Sequence, residues 1–314
     1  MRPTGMSEAA AKPTGVAQVH LIMVGSDGAN GGVPVAVVPD AAAIPMGARQ
    51  NLAARVGVAD TVFIDGAVGD MLTVSAFHPS RRSHSTGPAH IAAAWFHWAR
   101  QRAPLRPVRC RTSTGIVPVG LAADGVLGLR FPVAEITAPL STHAYRAALS
   151  RLGCEPGGHA AVADNGRRFL LLAVGGDAAF GAGGSVGEES LADYCAEARL
   201  QAVCAVHPDA GAEVVHDGAE GQSVVLRIPW PPSGPAADLA AVAAAAQWAP
   251  HWLATMADEK GGGDVVAVRQ APSTATGRPC HLRADIRREA GGSAPTAIDV
   301  GGYCHHDLAT SFSW

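Results

Sequence analysis

Three side chains that can transfer protons border apolar segments of the sequence: Asp60, Asp238 and His90. Proton transfer at a substrate carbon needs two titratable groups, one facing each side of that carbon. Asp60 comes just before a predicted apolar strand, Asp238 lies in the first turn of a predicted helix, and His90 lies near the start of another. These three are the candidate catalytic residues.

Each candidate also has an ordinary structural explanation. Asp60 could be a turn residue, and Asp238 could simply complement the positive end of a helix dipole. A lone histidine on an apolar helix, such as His90, is more often a hydrogen-bonded core residue than a catalyst. A carboxylate that faces a cleft would distinguish catalysis from these structural roles.

Two predicted helices begin with similar sequences. Thr86-Gly87-Pro88 precedes the apolar run 89–98, and Ser233-Gly234-Pro235 precedes the apolar run 236–248. A polar cap followed by proline in the first turn is typical of a helix start, and apolar side chains on nearly every side predict a buried helix. The two starts lie almost half a chain length apart, which predicts two similar lobes, each built around one buried helix.

The N-termini of two such helices would point toward the seam between the lobes. Free N–H groups and the helix dipole make an N-terminus a favourable site for a carboxylate. The candidate substrate-binding residues are therefore Thr86, Gly87, His84, Ser233 and Gly234. His78 precedes the same helix as His84 and could also reach the mouth of a pocket. The alternative is that both helix starts are ordinary caps.

The order of predicted segments repeats in the two halves of the chain. A pair of strands at 19–24 and 34–39 corresponds to a pair at 160–164 and 169–174, which flank the hairpin sequence Asn165-Gly166. In each half, another strand leads into the buried helix and further strands follow it. The predicted fold is α+β: two pseudo-symmetric lobes, each a mixed β-sheet or barrel wrapped around a central helix.

The predicted boundaries follow from composition and from this repeat. Residues 1–17 are rich in Ala, Pro, Thr and Gly without an apolar core, so a disordered leader is expected rather than a signal peptide. The N-terminal lobe is expected at 18–137, with strand exchange between lobes left open, and the C-terminal lobe at 138–314. Further helices are predicted at 48–56, 138–152 and 189–199.

Bulk composition argues against several partners. A net charge of −3 with no long basic run argues against nucleic acid, and no apolar run reaches the roughly 18 residues that a membrane span needs. The six cysteines are far apart with no Cys-x-x-Cys pair, which favours a reducing cytoplasm over a disulfide or zinc framework. His305-His306-Asp307 is interpreted as a surface turn, because adjacent side chains diverge.

Six short segments have an informative order and spacing: 32–38, 57–64, 77–79, 86–89, 234–243 and 277–279. The first is similar to a GNPxAVV motif, and Thr86-Gly87-Pro88-Ala89 stands in the place of a Cys-Gly-His-Ala motif. Together they resemble the PhzF-like family, named for a phenazine-biosynthesis isomerase, over roughly residues 18 to 303.

The resemblance implies the diaminopimelate-epimerase fold, with two lobes and an active site in the cleft. It also implies a homodimer that uses no metal or organic cofactor and moves a proton on a small carboxylated substrate. The family's catalytic glutamate falls on Asp60 and its second acid on Asp238, but its histidine falls on Pro88, which cannot transfer a proton. The family's substrate-binding Thr-Gly-Ser falls on Ala241-Val242-Ala243. His90 is the nearest substitute, although two helical positions differ by about 200° in direction.

These observations favour an isomerase of a small carboxylated intermediate in bacterial secondary metabolism, such as an unsaturated alkyl-proline precursor of an antibiotic. Asp60 would transfer the proton, Asp238 or His90 would assist, and the Gly87 N–H would bind the carboxylate. The missing histidine supports an alternative, a catalytically degenerate small-molecule binding or partner protein. A third hypothesis is an enzyme that uses the cleft without acid–base chemistry, such as a cyclase.

Overall fold

The computed structural model describes most of both halves of the chain. The described residues are 15–26, 31–83, 87–138, 156–174, 195–196, 198–208, 215–216, 219–220, 222–230, 238–257, 264–270, 280–290 and 292–314. The helices are α1 (Met46–Val56), α2 (Gly87–Arg100) and α3 (Leu239–Ala257), with a 3₁₀ turn at Ala41–Ala43. The helix predicted at 138–152 and most of the one predicted at 189–199 lie outside the described residues.

The strands alternate with these helices along the chain. The first half contains β1 (Val16–Val24), β2 (Val33–Val38), β3 (Asp60–Val68), β4 (Met71–His78), β5 (Arg81–Ser83), β6 (Val108–Thr112), β7 (Gly115–Leu121), β8 (Leu127–Phe131) and β9 (Glu135–Thr137). The second half contains β10 (Pro156–Asp164), β11 (Arg168–Val174), β12 (Ala202–Pro208), β13 (Val215–His216), β14 (Ala219–Glu220), β15 (Gln222–Trp230), β16 (Val265–Gln270), β17 (Cys280–Arg288), β18 (Pro295–Gly302) and β19 (Cys304–Ser313).

Seventeen of these strands form one continuous mixed sheet. From the pairings, the order is β19-β1-β2-β3-β4-β6-β7-β8-β18-β17-β16-β15-β12-β11-β10-β9, with β5 beside the end of β4. The pair β8–β18 joins the two halves of the sheet in antiparallel register, with Arg130 opposite Asp299. The sheet is therefore shared by both lobes.

The two halves of the sheet repeat one pattern of strand directions. In the first half β2 and β3 are parallel, as are β4 and β6; in the second half β11 and β12 are parallel, as are β15 and β16. The remaining neighbours within each half are antiparallel. This pattern confirms the predicted α+β fold with two similar lobes.

Each half of the sheet wraps around one apolar helix. Helix α2 packs against strands of the first half and α3 against strands of the second, including β18, β12 and β17. Residues 88–94 of α2 are all buried, as are 241–246 of α3. Burial on all sides explains why neither helix needs a polar face, and it confirms both predicted central helices.

Strands are exchanged between the two lobes. Strand β19 pairs with β1, so the end of the C-terminal half extends the N-terminal sheet, while β9 pairs with β10 of the other half. The interpretation of His305-His306-Asp307 as a turn is therefore wrong, because these residues belong to β19. Strand β1 begins at Val16, two residues inside the range assigned to the leader.

A buried arginine, Arg49, fixes helix α1 to strands β3 and β4. Arg49 donates to the carbonyls of Ile44 and Ala41, to the Asp65 carboxylate at 2.5 Å and to Ser75 Oγ. Gly57 ends the helix at φ +74°, a left-handed conformation that glycine adopts without strain. Strand β3 begins three residues later, so this anchored helix end sets the position of the first residue of β3.

The two central helices touch at their first turns. A Cβ added to Gly87 would lie 2.6 Å from Leu239 Cδ1 and 2.8 Å from its Cγ. Leu239 is itself buried, so it has little room to move. The missing side chain at position 87 therefore allows the helix N-termini to meet.

This contact gives a stability prediction for Gly87→Ala. The added methyl overpacks the seam, so the free energy of unfolding should fall by roughly 1–3 kcal/mol. In a Leu239→Ala background the Cδ1 and Cγ atoms are removed and only Cβ, at 3.2 Å, stays close, so the same substitution should cost much less. Urea unfolding of the four proteins measures the coupling; additive effects would contradict the proposed contact.

Candidate active site

A cavity of about 490 Å³ lies where the first turns of α2 and α3 meet. The first half of the chain contributes residues of β3, β4, β5, β7 and β8 to its wall, and the second half contributes the β10–β11 turn and the start of α3. Its lining residues are Ala59, Asp60, His78, Arg81, Ser83, Gly87, His90, Val117, Pro118, Leu129, Arg130, Phe131, Asn165, Gly166, Arg167, Asp238, Leu239 and Ala240. The volume is typical of a site for a small molecule.

Asp60 places a nearly buried carboxyl group in this cavity. It is the first residue of β3, pairs in register with Val35 of β2, and is only 4% exposed. Burial raises its pKa to about 7. No described residue forms a hydrogen bond or ion pair with its carboxyl group. A carboxyl with a pKa near neutrality can both accept and donate a proton under physiological conditions.

His90 and Gly87 lie on the same face of the first turn of α2, because residues three apart on a helix are neighbours. Both line the cavity, and His90 is almost fully buried. Pro88, on which the sequence resemblance places a histidine, is buried but does not line the cavity. His90 therefore lines the cavity because it lies three residues after Gly87, on the same face of the helix. Its separation of about 200° from Pro88 does not exclude it, since Pro88 itself is not in the wall.

Asp238 directly precedes α3 and caps it. Its Oδ1 accepts hydrogen bonds from the backbone N–H groups of Ala240 at 3.1 Å and Ala241 at 3.3 Å. Arg167 contacts both carboxylate oxygens, with Nη1 to Oδ1 at 2.8 Å and Nη2 to Oδ2 at 2.7 Å. Asp238 therefore has the helix-stabilising role that its sequence position suggested, together with a position in the cavity wall.

Arg167 is a site residue that sequence reasoning missed. It follows Asn165-Gly166 in the turn between β10 and β11, and the turn contacts α3 through a hydrogen bond from Asn165 Nδ2 to the Ala240 carbonyl. The Asn-Gly sequence predicted this turn correctly. Arg167 itself, next to Arg168, indicated only a short basic cluster, because the approach of the turn to α3 depends on the tertiary fold.

The cavity wall is rich in cationic side chains. Arg81, Arg130 and Arg167 all line it, and Arg130 is also paired with Asp299 across the seam between the lobes. His78 also lines the cavity, and burial together with the nearby Arg81 charge lowers its pKa. A cavity with this lining favours an anionic small molecule.

The structure brings together four of the eight candidate residues: Asp60, His90, Asp238 and Gly87. The other four, His84, Thr86, Ser233 and Gly234, lie outside the described residues. Within the described part of the chain, no group of three or more His, Cys, Asp or Glu side chains is arranged to bind a metal ion. No helix in that part is long and apolar enough to cross a membrane.

Comparison with solved structures identifies the fold. The chain matches no protein-family model and no curated protein. It is similar to a PhzF-family phenazine biosynthesis protein from Bacillus anthracis, with a TM-score of 0.72 and 14% identity over 95% of this chain and 99% of that one. A predicted epimerase from Pseudomonas aeruginosa gives a TM-score of 0.67 and 16% identity over 94% and 99%.

A hydroxyproline epimerase from Agrobacterium vitis, solved with trans-4-hydroxy-L-proline, is more distant. Its TM-score is 0.51, with 10% identity over 97% of this chain and 93% of that one. The chain therefore has the PhzF-like fold of the diaminopimelate-epimerase type. At these identities the comparisons define the architecture, and the residues of the cavity must support any assignment of chemistry.

The raised pKa of Asp60 predicts a pH-dependent stability. An unfolded aspartate titrates near about 4, whereas the folded one retains its proton up to about 7. The unfolded state therefore loses its proton first, and the Asp60 contribution to stability should fall between pH 4 and pH 7. The total fall in this contribution to the free energy of unfolding is at most on the order of 4 kcal/mol. The measurement is the unfolding free energy of wild type minus that of Asp60→Asn.

Asp70→Asn is the matched control, because the Arg109 hydrogen bond lowers the pKa of this exposed aspartate. Its contribution should be lost as the pH falls, which is the opposite sign. A wild type minus Asp60→Asn difference that does not change with pH would show that the carboxyl is not desolvated.

Proposed function

We propose that this chain is a cofactor-independent isomerase that moves a proton, and with it a double bond, on a small carboxylated intermediate. The observation that carries the proposal is the buried Asp60 carboxyl with a pKa of about 7 in the wall of a cavity. The PhzF-like fold agrees with it, because two of the similar structures carry the name epimerase.

The Asp60 carboxylate would remove a proton from a substrate carbon next to a conjugated system. The C–H electron pair would delocalise toward the substrate's carboxyl group, and the backbone N–H at Gly87 would stabilise the developing charge at the N-terminus of α2. Protonation at another carbon, by the Asp60 carboxyl or by His90, completes the shift. Protons and electrons balance without an external oxidant or reductant.

Conjugated, unsaturated amino or imino acids fit this mechanism best, because their C–H bonds are acidic and need less assistance. An alkyl-proline-type precursor in bacterial secondary metabolism is one such substrate. A cytoplasmic homodimer, which the resemblance and the cysteine pattern predict, stays part of the proposal. Binding of the substrate by Thr86, His84, Ser233 and Gly234 also stays a prediction.

A catalytically degenerate binding protein is the second candidate, supported by Pro88 in the place of the family's histidine. Such a protein would use the cationic cavity to bind a small anion without moving a proton. The two proposals differ in what they require of Asp60, since a binding cavity for anions gains nothing from a buried carboxyl group.

Proton exchange in D₂O separates the two candidates. Wild type and Asp60→Asn are incubated with small unsaturated amino and imino acids, and deuterium uptake is followed by NMR. We expect uptake that rises through pH 7 as Asp60 ionises, and that falls by about 10²-fold or more in the variant. Asp70→Asn should exchange like wild type. Binding without exchange in wild type would favour the binding protein.

His90→Asn tests whether the histidine returns the proton. If it does, deuterium uptake at the carbon that Asp60 deprotonates should persist, while formation of the isomerised product falls by roughly 10²-fold. His97→Asn is the control, because His97 is on the same helix but does not line the cavity. A parallel loss of uptake and product, matched by a loss of stability, would make His90 a core residue.

A further inference from the structure

The Arg167 guanidinium is fixed in the cavity wall by contacts on several sides. Nε donates to Gln201 Oε1 at 2.5 Å, and Nη1 and Nη2 contact the two oxygens of Asp238. Its Cζ also lies 5.2 Å from the centroid of the Phe169 ring, in a cation–π arrangement. These contacts leave the side chain with little freedom to reorient.

Fixing the guanidinium does not exhaust its hydrogen-bonding capacity. An arginine has five N–H donors, and the contacts to Gln201 and Asp238 use three of them. The remaining N–H of each Nη has no partner among the described residues. The exposure is also asymmetric, because the Asp238 side chain is 5% exposed and that of Arg167 is 40% exposed. The part of this pair that is open to a ligand is therefore the cation.

The charge at this end of the cavity remains positive despite the ion pair. The Asp238 carboxylate caps α3, whose N-terminus carries roughly half a positive charge. Together with Arg167, the carboxylate and the helix end sum to about +0.5. Because Asp238 takes the Nη1–Nη2 edge, the two open N–H groups point about 120° apart in the plane of the guanidinium. A carboxylate ligand would therefore accept a single charge-assisted hydrogen bond from one of them.

An ion pair that only stabilises the fold does not have to line a cavity, whereas Arg167 and Asp238 both do. The neighbouring Arg168 shows such a role, because it lies 3.8 Å from Asp164 on the same hairpin and does not line the cavity. Arg167 instead lines the wall that also contains Asp60. The two adjacent arginines thus provide an internal comparison.

We propose that Arg167 binds the carboxylate of the substrate, and that Asp238 is a positioning residue that orients the guanidinium. This inference rests on the proposed function and deepens it, because it names Arg167, in the C-terminal lobe, as the group that binds the carboxylate of the substrate, while the Gly87 N–H stabilises the charge that develops during proton removal. A substrate anchored at Arg167 would lie in the cavity whose wall also contains Asp60, which would then act on a carbon of the anchored molecule.

Matched ligands of equal shape test the anchor without requiring turnover. Calorimetry at pH 6, where Asp60 is mostly protonated, compares benzoate with benzamide and sorbate with sorbamide. We expect wild type to prefer each carboxylate, and Arg167→Gln to weaken carboxylate binding about tenfold or more while the amides change less than about twofold. Arg168→Gln should behave like wild type.

Either of two results would overturn the proposal: no carboxylate preference in wild type for either pair, including no binding at all, or an unchanged preference in Arg167→Gln. The result is independent of proton exchange. A carboxylate preference that depends on Arg167, together with no exchange in D₂O, would keep the anchor and reject the isomerase.

The role of Asp238 is tested by a double-mutant cycle. Asp238→Asn should weaken benzoate binding when Arg167 is present and should have no further effect in the Arg167→Gln background. Urea unfolding serves as the second readout, because the lost capping contacts lower stability in both backgrounds. Equal losses of benzoate binding in the two backgrounds would exclude a positioning role.

Discussion

The close contact between Gly87 and Leu239 is the constraint on which the rest of the site depends. It brings the N-termini of the two central helices together in the seam of a sheet that both lobes share. Two helix dipoles then point their positive ends at one volume, which favours anions there. The same contact places His90 and Asp238, each near the start of its helix, in the wall of one cavity.

Much of this fold could be predicted from local sequence. Two apolar helices with similar starts, and strands in the same order around each, are enough to indicate a duplicated α+β lobe. The exchange of strands could not be predicted in the same way. Pairing of β8 with β18 and of β1 with β19 joins segments more than 150 residues apart, and alternation within a strand does not identify its partner. The misassigned His305-His306-Asp307 turn has this cause.

The site was predictable where function depends on helix geometry and unpredictable where it depends on tertiary contacts. Gly87 and His90 share a helix face by their spacing alone. The sequence did not determine whether Asp60 is buried, because a short Val-Ala-Asp sequence before a strand is equally compatible with an exposed turn. Arg167 gave no signal beyond its charge, since its role arises when the hairpin turn meets a helix end some 70 residues further along the chain.

Two carboxyl groups in one cavity have opposite surroundings, and this divides the chemistry between them. Asp238 accepts hydrogen bonds from a guanidinium and two backbone N–H groups, which fix its carboxylate at the start of α3. Asp60 has no such partner among the described residues, and burial alone makes its ionised form costly. Carboxyl groups whose surroundings differ in this way commonly take different roles in acid–base enzymes. In the proposed isomerase the proton-transferring group is the carboxyl that the fold desolvates, so the proposal does not require a histidine at position 88.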